Sequence, residues 1–155
     1  MANTQAMCTS FKVELLNGIH ALGTSVVRAG TTPDSFKAAL YYATATINKD
    51  TAAYTVTGEV TGTNYSAGGV DLTGSPDWIA PTSGSDVAYS TPTANIVYTT
   101  VTINSANFDC VLIYNATQGN KAVSVHTFTA QTITVGTLTL TMPSNASGTA
   151  LIRLA

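Results

Sequence analysis

The sequence predicts an all-β fold, a jelly-roll-like or Greek-key β-sandwich preceded by one amphipathic helix. Threonine supplies 28 of the 155 residues, twice the number of Asp, Glu, Lys and Arg together, and its β-branched carbon favours extended backbone. From Ser35 onward apolar residues recur with a period of two, the period at which side chains share one face of a strand. The middle of the chain alternates short strand-like runs with long turn-rich stretches, the pattern of a sandwich. No unit of roughly 20–50 residues repeats, which argues against a solenoid or propeller. The length suits a single structural domain. Residues 1–34 form an N-terminal arm and helix, packed on the body or on a neighbouring subunit, and residues 35–155 form the β-sandwich.

The helix comes first. Phe11, Leu15, Ile19 and Leu22, joined by Leu16, recur at helical spacing, with Ser10 placed as N-cap, Gly18 as a weak point and Gly23 as the stop. A turn-rich passage through Gly30, Thr31, Thr32, Pro33 and Asp34 leads into the body. Phe36, Ala38, Leu40 and Tyr42 share a face of the next strand. Residues 58–69 carry four glycines and residues 74–92 are dense in Gly, Ser and Pro; both read as long loops around a short strand at Val70, Asp71 and Leu72. Val97, Thr99, Val101 and Ile103 then share one strand face, with Ile96, Tyr98 and Thr100 opposite. Further strands follow at 110–114, 122–126, 133–135, 138–142 and 150–154. Residues 115–120 make a hairpin between two of them, and Gly136 sits where a tight turn would join two more.

Composition narrows the function classes. Six Lys and Arg against eight Asp and Glu, scattered along the chain, leave no basic stripe for a run of phosphates, so nucleic acid is not an expected partner. No apolar stretch approaches the ~18 residues of a membrane span. The N-terminus lacks a basic region leading into a hydrophobic run, so the expectation is synthesis in a cytoplasm without classical export. A charged fraction of only 9% offers little charge repulsion against self-association, which fits either a surface covered by partners or one whose hydroxyls and amides supply enough solubility. Cys8 and Cys110, the only cysteines, are expected as free thiols.

The residues frame no catalytic or metal site. His20 and His126 stand apart without HExxH, CxxC or CxxxH spacing, so neither a metal nor a cofactor is expected, and His126 reads as a half-exposed strand residue. No G-x-S-x-G elbow surrounds a serine. Glu59, Asp71, Asp77 and Asp109 lie near loops and are expected as hydrogen-bonded turn acids more than as a hydrolytic pair. The chain is expected not to be an enzyme; an enzyme would need a buried cluster joining His20 or His126 to a carboxylate. The glycines of residues 58–69 sit outside any phosphate-loop pattern and serve loop geometry. Among apolar and aromatic residues, Phe11, Leu15, Tyr54, Tyr65, Trp78 and Tyr89 are the candidate partner-interface anchors.

Four stretches carry a family resemblance: residues 10–20 (SFKVELLNGIH), 34–41 (DSFKAALY), 54–69 (YTVTGEVTGTNYSAGG) and 112–115 (LIYN). In order and spacing they resemble a small protein common in the structural-gene blocks of tailed bacteriophages. The resemblance implies a capsid cement or decoration subunit on the capsid exterior, a homotrimer that bridges neighbouring major capsid proteins. The alternative it leaves open is a tail or head-fibre component contacting host surface glycan, with Trp78 and loop tyrosines as a stacking platform. In either case the threonine faces at 99–102 and 132–141 are expected to be partly buried against other subunits.

Overall fold

The computed structural model describes residues 3–16, 18–22, 32–74 and 76–155. In chain order the elements are β1 (Ala6–Met7), α1 (Thr9–Leu16), β2 (Phe36–Tyr42), β3 (Val70–Asp71), β4 (Thr82–Gly84), β5 (Val87–Ser90), β6 (Ile96–Asn115), β7 (Lys121–Leu140) and β8 (Ile152–Leu154). They form an all-β, sandwich-like fold of antiparallel sheets with one short N-terminal helix. The larger sheet runs β1-β7-β6-β2-β3 and the smaller β4-β5-β8.

The centre of the larger sheet is β2 against β6, paired from Phe36↔Asn115 to Leu40↔Val111. Phe36, Ala38 and Leu40 face the core as their spacing predicts, and Ala39 and Tyr41 on the other face are buried as well. The strand is therefore covered on both sides. One cover is the loop of residues 58–69, whose Val60 donates its N–H to the Leu40 carbonyl at 3.0 Å, and whose Thr63 exchanges backbone bonds with Thr102. Gly69 (φ +73) lies so close to β2 that a Cβ there would overlap the Ala38 carbonyl.

The expected series of short later strands is corrected. Those at 97–103 and 110–114 are one strand, β6, and those at 122–126, 133–135 and 138–142 merge into β7, each 20 residues long. The hairpin at 115–120 joins them as expected. Gly136 makes no turn; it lies inside β7, opposite Val101. Bulges hid this continuity. Tyr98 pairs with Leu138 but Val101 with Gly136, and Ile103 with Ile133, so one extra residue sits on β6 at Thr100 (φ +52) and one on β7 at Val135 (φ +46). The first of these also overturns the shared face of Val97, Thr99, Val101 and Ile103. Ile96 and Tyr98 point inward, Val97 and Thr99 outward, and beyond Thr100 the inward residues become Val101 and Ile103.

Two further corrections concern ends and loops. The helix stops at Leu16, so Ile19 and Leu22 lie beyond it, and Gly23 falls outside the described residues. Gly18, in the left-handed region (φ +65), terminates it: its N–H donates to the Leu15 carbonyl and that of Ile19 to the Glu14 carbonyl, a Schellman pair. Ser10 lies inside the first turn instead of capping it, and its buried Oγ has no partner among the described residues. Within the stretch read as loop, β4 and β5 form a hairpin whose central residues Ser85 and Asp86 both have positive φ, the type I′ geometry that matches strand twist.

The described part of the N-terminal segment packs on the chain's own body. β1 pairs with β7 at Val125 and Ser124. Asn3 donates from Nδ2 to Asp109 at 2.7 Å and accepts from the Ile47 N–H at 2.9 Å. Cys8 and Phe11 are fully enclosed in the same core as β2 and β6.

Candidate functional site

The densest polar constellation lies where α1, the residues after it and the β6–β7 hairpin meet. Asn115 and Lys121 face each other across the base of that hairpin. Buried Glu14, on the helix, accepts from Lys121 Nζ at 2.7 Å and from His20 Nε2 at 2.8 Å. Asn115 Nδ2 contacts both His20 Nδ1, at 3.0 Å, and Asp34 Oδ2, at 2.8 Å. Asp34 also accepts from Gln118 Nε2 and from the Ala21 N–H. Glu14, His20, Asp34 and Asn115 are all buried.

This geometry fixes the proton positions. Asn115 Oδ1 accepts the N–H groups of Thr117 and Gln118, so its Nδ2 is the end that faces His20 and must donate. His20 Nδ1 is therefore an acceptor, and the ring proton sits on Nε2, donated to Glu14. A neutral histidine is also what burial favours: removal of the ring from water lowers its pKa below the ordinary 6.5, against the pull of Glu14 and Asp34. For Glu14, burial works upward, but hydrogen bonds from Lys121 and His20 outweigh it, and the carboxyl lies below its ordinary 4.5.

A histidine buried with carboxylates is what an enzyme would require, and the cluster has that composition. Its geometry does other work. Both ring nitrogens are occupied, and none of the ring surface is exposed, so His20 has no free lone pair to take a proton from a substrate. The nearest thiol in sequence, Cys8, is pushed up to about 11 by burial and then by the Glu14 charge. The arrangement ties α1 and residues 18–22 to the hairpin, and charge-assisted bonds make it a strong tie.

A second constellation stabilises the glycine-rich loop. Buried Glu59 accepts from Tyr54 Oη at 2.6 Å, Tyr65 Oη at 2.8 Å and the Gly68 N–H at 2.7 Å. Tyr54 stacks on Tyr114, and Tyr65 on Tyr98. Tyr114 and Tyr98 donate their hydroxyls to the Gly68 and Ala38 carbonyls. Of the other acids expected in turns, Asp77 accepts from the Phe36 N–H, whereas Asp71 and Asp109 lie on β3 and β6, Asp71 beside Lys37 at 3.5 Å and Asp109 accepting from Asn3.

The candidate anchors divide by position. Phe11 and Trp78 have no exposed surface; Phe11 meets the His20 ring edge-on and Trp78 meets Phe36. Trp78 therefore offers no stacking platform to a sugar. Leu15, Tyr54, Tyr65 and Tyr89 are half-buried. His126 on β7 is mostly buried, contacts Ser124 Oγ at 2.9 Å, and is lowered to about 4 by that burial. It lines an apolar cleft of about 340 Å³ together with Ile96, Val111, Ile113, Phe128 and Leu140. No family model, curated protein or solved structure matches the chain.

The outward face of the β6–β7 ribbon lies apart from both constellations. On β7, Thr132, Thr134, Thr137 and Thr139 are exposed and alternate with the more buried Ile133, Leu138 and Leu140; on β6, Val97, Thr99 and Thr100 are exposed beside them. From residue 122 to residue 152 there is no Asp, Glu, Lys or Arg. Among the described residues no group of three or more His, Cys, Asp or Glu is arranged to hold a metal, and no helix is long and apolar enough to cross a membrane.

Proposed function

We propose that this protein is a structural subunit of a tailed-phage virion, a capsid cement or decoration protein. It sits on the capsid exterior as a homotrimer and bridges neighbouring major capsid proteins by non-covalent contacts. The observation that carries this reading is the threonine-faced stretch of the β6–β7 ribbon, residues 96–104 and 129–140, which carries no Asp, Glu, Lys or Arg and whose outward side chains are exposed in the single chain. Hydroxyl-bearing strand faces can be covered by another protein at a smaller desolvation penalty than charged ones, provided the hydroxyls find hydrogen-bond partners. The internal clasps at His20 and Glu59 suit the same role, since a pre-organised surface loses less entropy on docking. The sequence resemblance supplies the virion context.

The test is a virion lacking the protein. Loss of resistance to heat or osmotic shock, restored by adding back the purified chain, is the expected result. Unchanged shell stability together with lost host adsorption would replace the cement reading with that of a tail or head-fibre component.

A further inference from the structure

The N-terminal segment is tied to the body at its two ends by different chemistry. At its start β1 pairs with β7, Asn3 binds Asp109 and the Ile47 N–H, and the Cys8 N–H donates to the Val123 carbonyl. None of these ties touches His20. At its far end the ties converge on that ring. Nε2 donates to Glu14, which also holds Lys121, and Nδ1 accepts from Asn115, which also holds Asp34. Asp34 in turn accepts the Ala21 N–H, and Phe11, enclosed in the core, meets the ring edge-on at 4.7 Å.

We infer that His20 is the pin of an acid-opened latch: protonation of its ring releases α1 and residues 18–22 from the β6–β7 hairpin, hinged at Met7 and Cys8, while the sheet stays folded. The geometry leaves a second proton no place. Nδ1 faces the Asn115 Nδ2, and turning that amide would set Nδ2 against the Thr117 and Gln118 N–H groups that Oδ1 now accepts. None of the ring is exposed, so water cannot solvate the new charge. Among the groups around it, Glu14 on α1 and Asp34 before β2 attract an imidazolium, Lys121 on β7 repels it, and the Cys8 thiol, pushed up to about 11, stays neutral. Burial outweighs the attraction and holds the ring below its ordinary 6.5. Once the segment is open, water serves both nitrogens and the ordinary value returns. Each pH unit below about 6.5 therefore favours the open form by up to about tenfold, until the folded value is reached. At lower pH, protonation of Glu14 loosens Lys121 and acts in the same direction. The ladder between β2 and β6 is backbone pairing, which does not titrate here. The latch belongs to the single chain and does not depend on the proposed virion role.

The experiment is hydrogen exchange on the purified full chain, corrected for the intrinsic pH dependence of exchange and read by mass spectrometry, with an apolar fluorescent dye alongside. A helix of eight residues lifted off its support unravels, so opening is read at the N–H groups of residues 13–16, Gly18 and Ile19. Between about pH 7 and about pH 5 their protection should fall by about tenfold or more. Protection in β2 and at residues 108–115 of β6 should hold, and dye binding should rise as Phe11 is uncovered. His20→Gln keeps a neutral donor and acceptor in place of the ring, and its protection at the same groups should change by less than about threefold. Loss of protection at α1 and β2 together would show one cooperative unit and overturn the latch. Protection at α1 that is unchanged or raised in acid would mean that Glu14 and Asp34 retain the imidazolium, and would overturn it too. A wild-type profile in His20→Gln would assign the opening to another group. Should His20→Gln not fold, the comparison of α1 with β2 in the wild-type chain still decides.

Discussion

Asn115 and His20 determine each other's chemistry: the Asn115 amide points its Nδ2 at His20 Nδ1 from 3.0 Å because its oxygen is occupied by two backbone N–H groups. The ring can accept there only while it is neutral. Protonation would set an N–H against an N–H₂ and break the join between the helix segment and the hairpin.

Stability should therefore fall on acidification. The folded pKa of His20 lies below its ordinary 6.5, chiefly through burial, so its contribution is complete above about pH 6.5 and is lost as pH falls through the folded value. Glu14, also lowered in the fold, adds a loss of the same sign at lower pH. Thermal melts between pH 8 and pH 4 should show a falling midpoint. His20→Gln, which removes the titrating ring, should shrink the part of the fall that begins at about pH 6.5 and leave the later Glu14 part; an unchanged profile would remove His20 from the account.

Glu59→Ala should loosen the loop of residues 58–69 without unfolding the sheet. The substitution leaves two tyrosine hydroxyls and the Gly68 N–H without their acceptor, at about 1–3 kcal/mol for each buried group left unsatisfied. Denaturant titration should show a loss of about 2–4 kcal/mol, because water can reach the partly buried tyrosine hydroxyls and re-satisfy part of the site. Hydrogen exchange should quicken first at Val60 and Thr63, whose N–H groups join the loop to β2 and β6.

The strand content was legible because alternation survives wherever the ladder is regular, as at β2. It misled where bulges at Thr100 and Val135 inserted a residue and reversed the faces, and where Ser85 and Asp86 made a type I′ turn without the usual Asn-Gly pair. The clasp around His20 was not legible, because Glu14 and Asp34 stand 107 and 81 residues from their partners Lys121 and Asn115 and meet them only where α1 and the residues before β2 pack on the β6–β7 hairpin. One signal was present: Asn115 and Lys121 bracket the predicted hairpin, so two polar side chains had to face each other at its mouth. Glu59, Tyr54 and Tyr65 were each singled out for other reasons, as acid and as anchors, and they meet one another.

Two glycines should respond very differently to alanine. At Gly18, φ is +65 and a Cβ would meet nothing within 4 Å, so Gly18→Ala should cost about 1–2 kcal/mol, the left-handed penalty alone. Gly69→Ala adds overlap with the Ala38 carbonyl in the centre of the sheet, and the loss should exceed about 3 kcal/mol. Urea midpoints of the two variants measure the difference; equal losses would mean that β2 can move away from the loop at little cost.

The two cysteines report on opening of the fold. Both are free and buried; burial first, then the nearby Glu14 and Asp109 carboxylates, push Cys8 up to about 11 and Cys110 up to about 12. The thiolate is the reactive form, so at pH 8 the native protein should be alkylated on the order of a hundredfold or more slowly than the denatured chain. The two thiols should not open together. Cys8 immediately precedes α1 and donates its N–H to the Val123 carbonyl, whereas Cys110 lies between β2 and β7 in the central sheet. A disulfide reagent active at low pH should therefore modify Cys8 before Cys110 once acid has released the His20 clasp. Mass mapping of the modified peptides provides the check, and simultaneous modification would show that the helix segment and the sheet unfold as one unit.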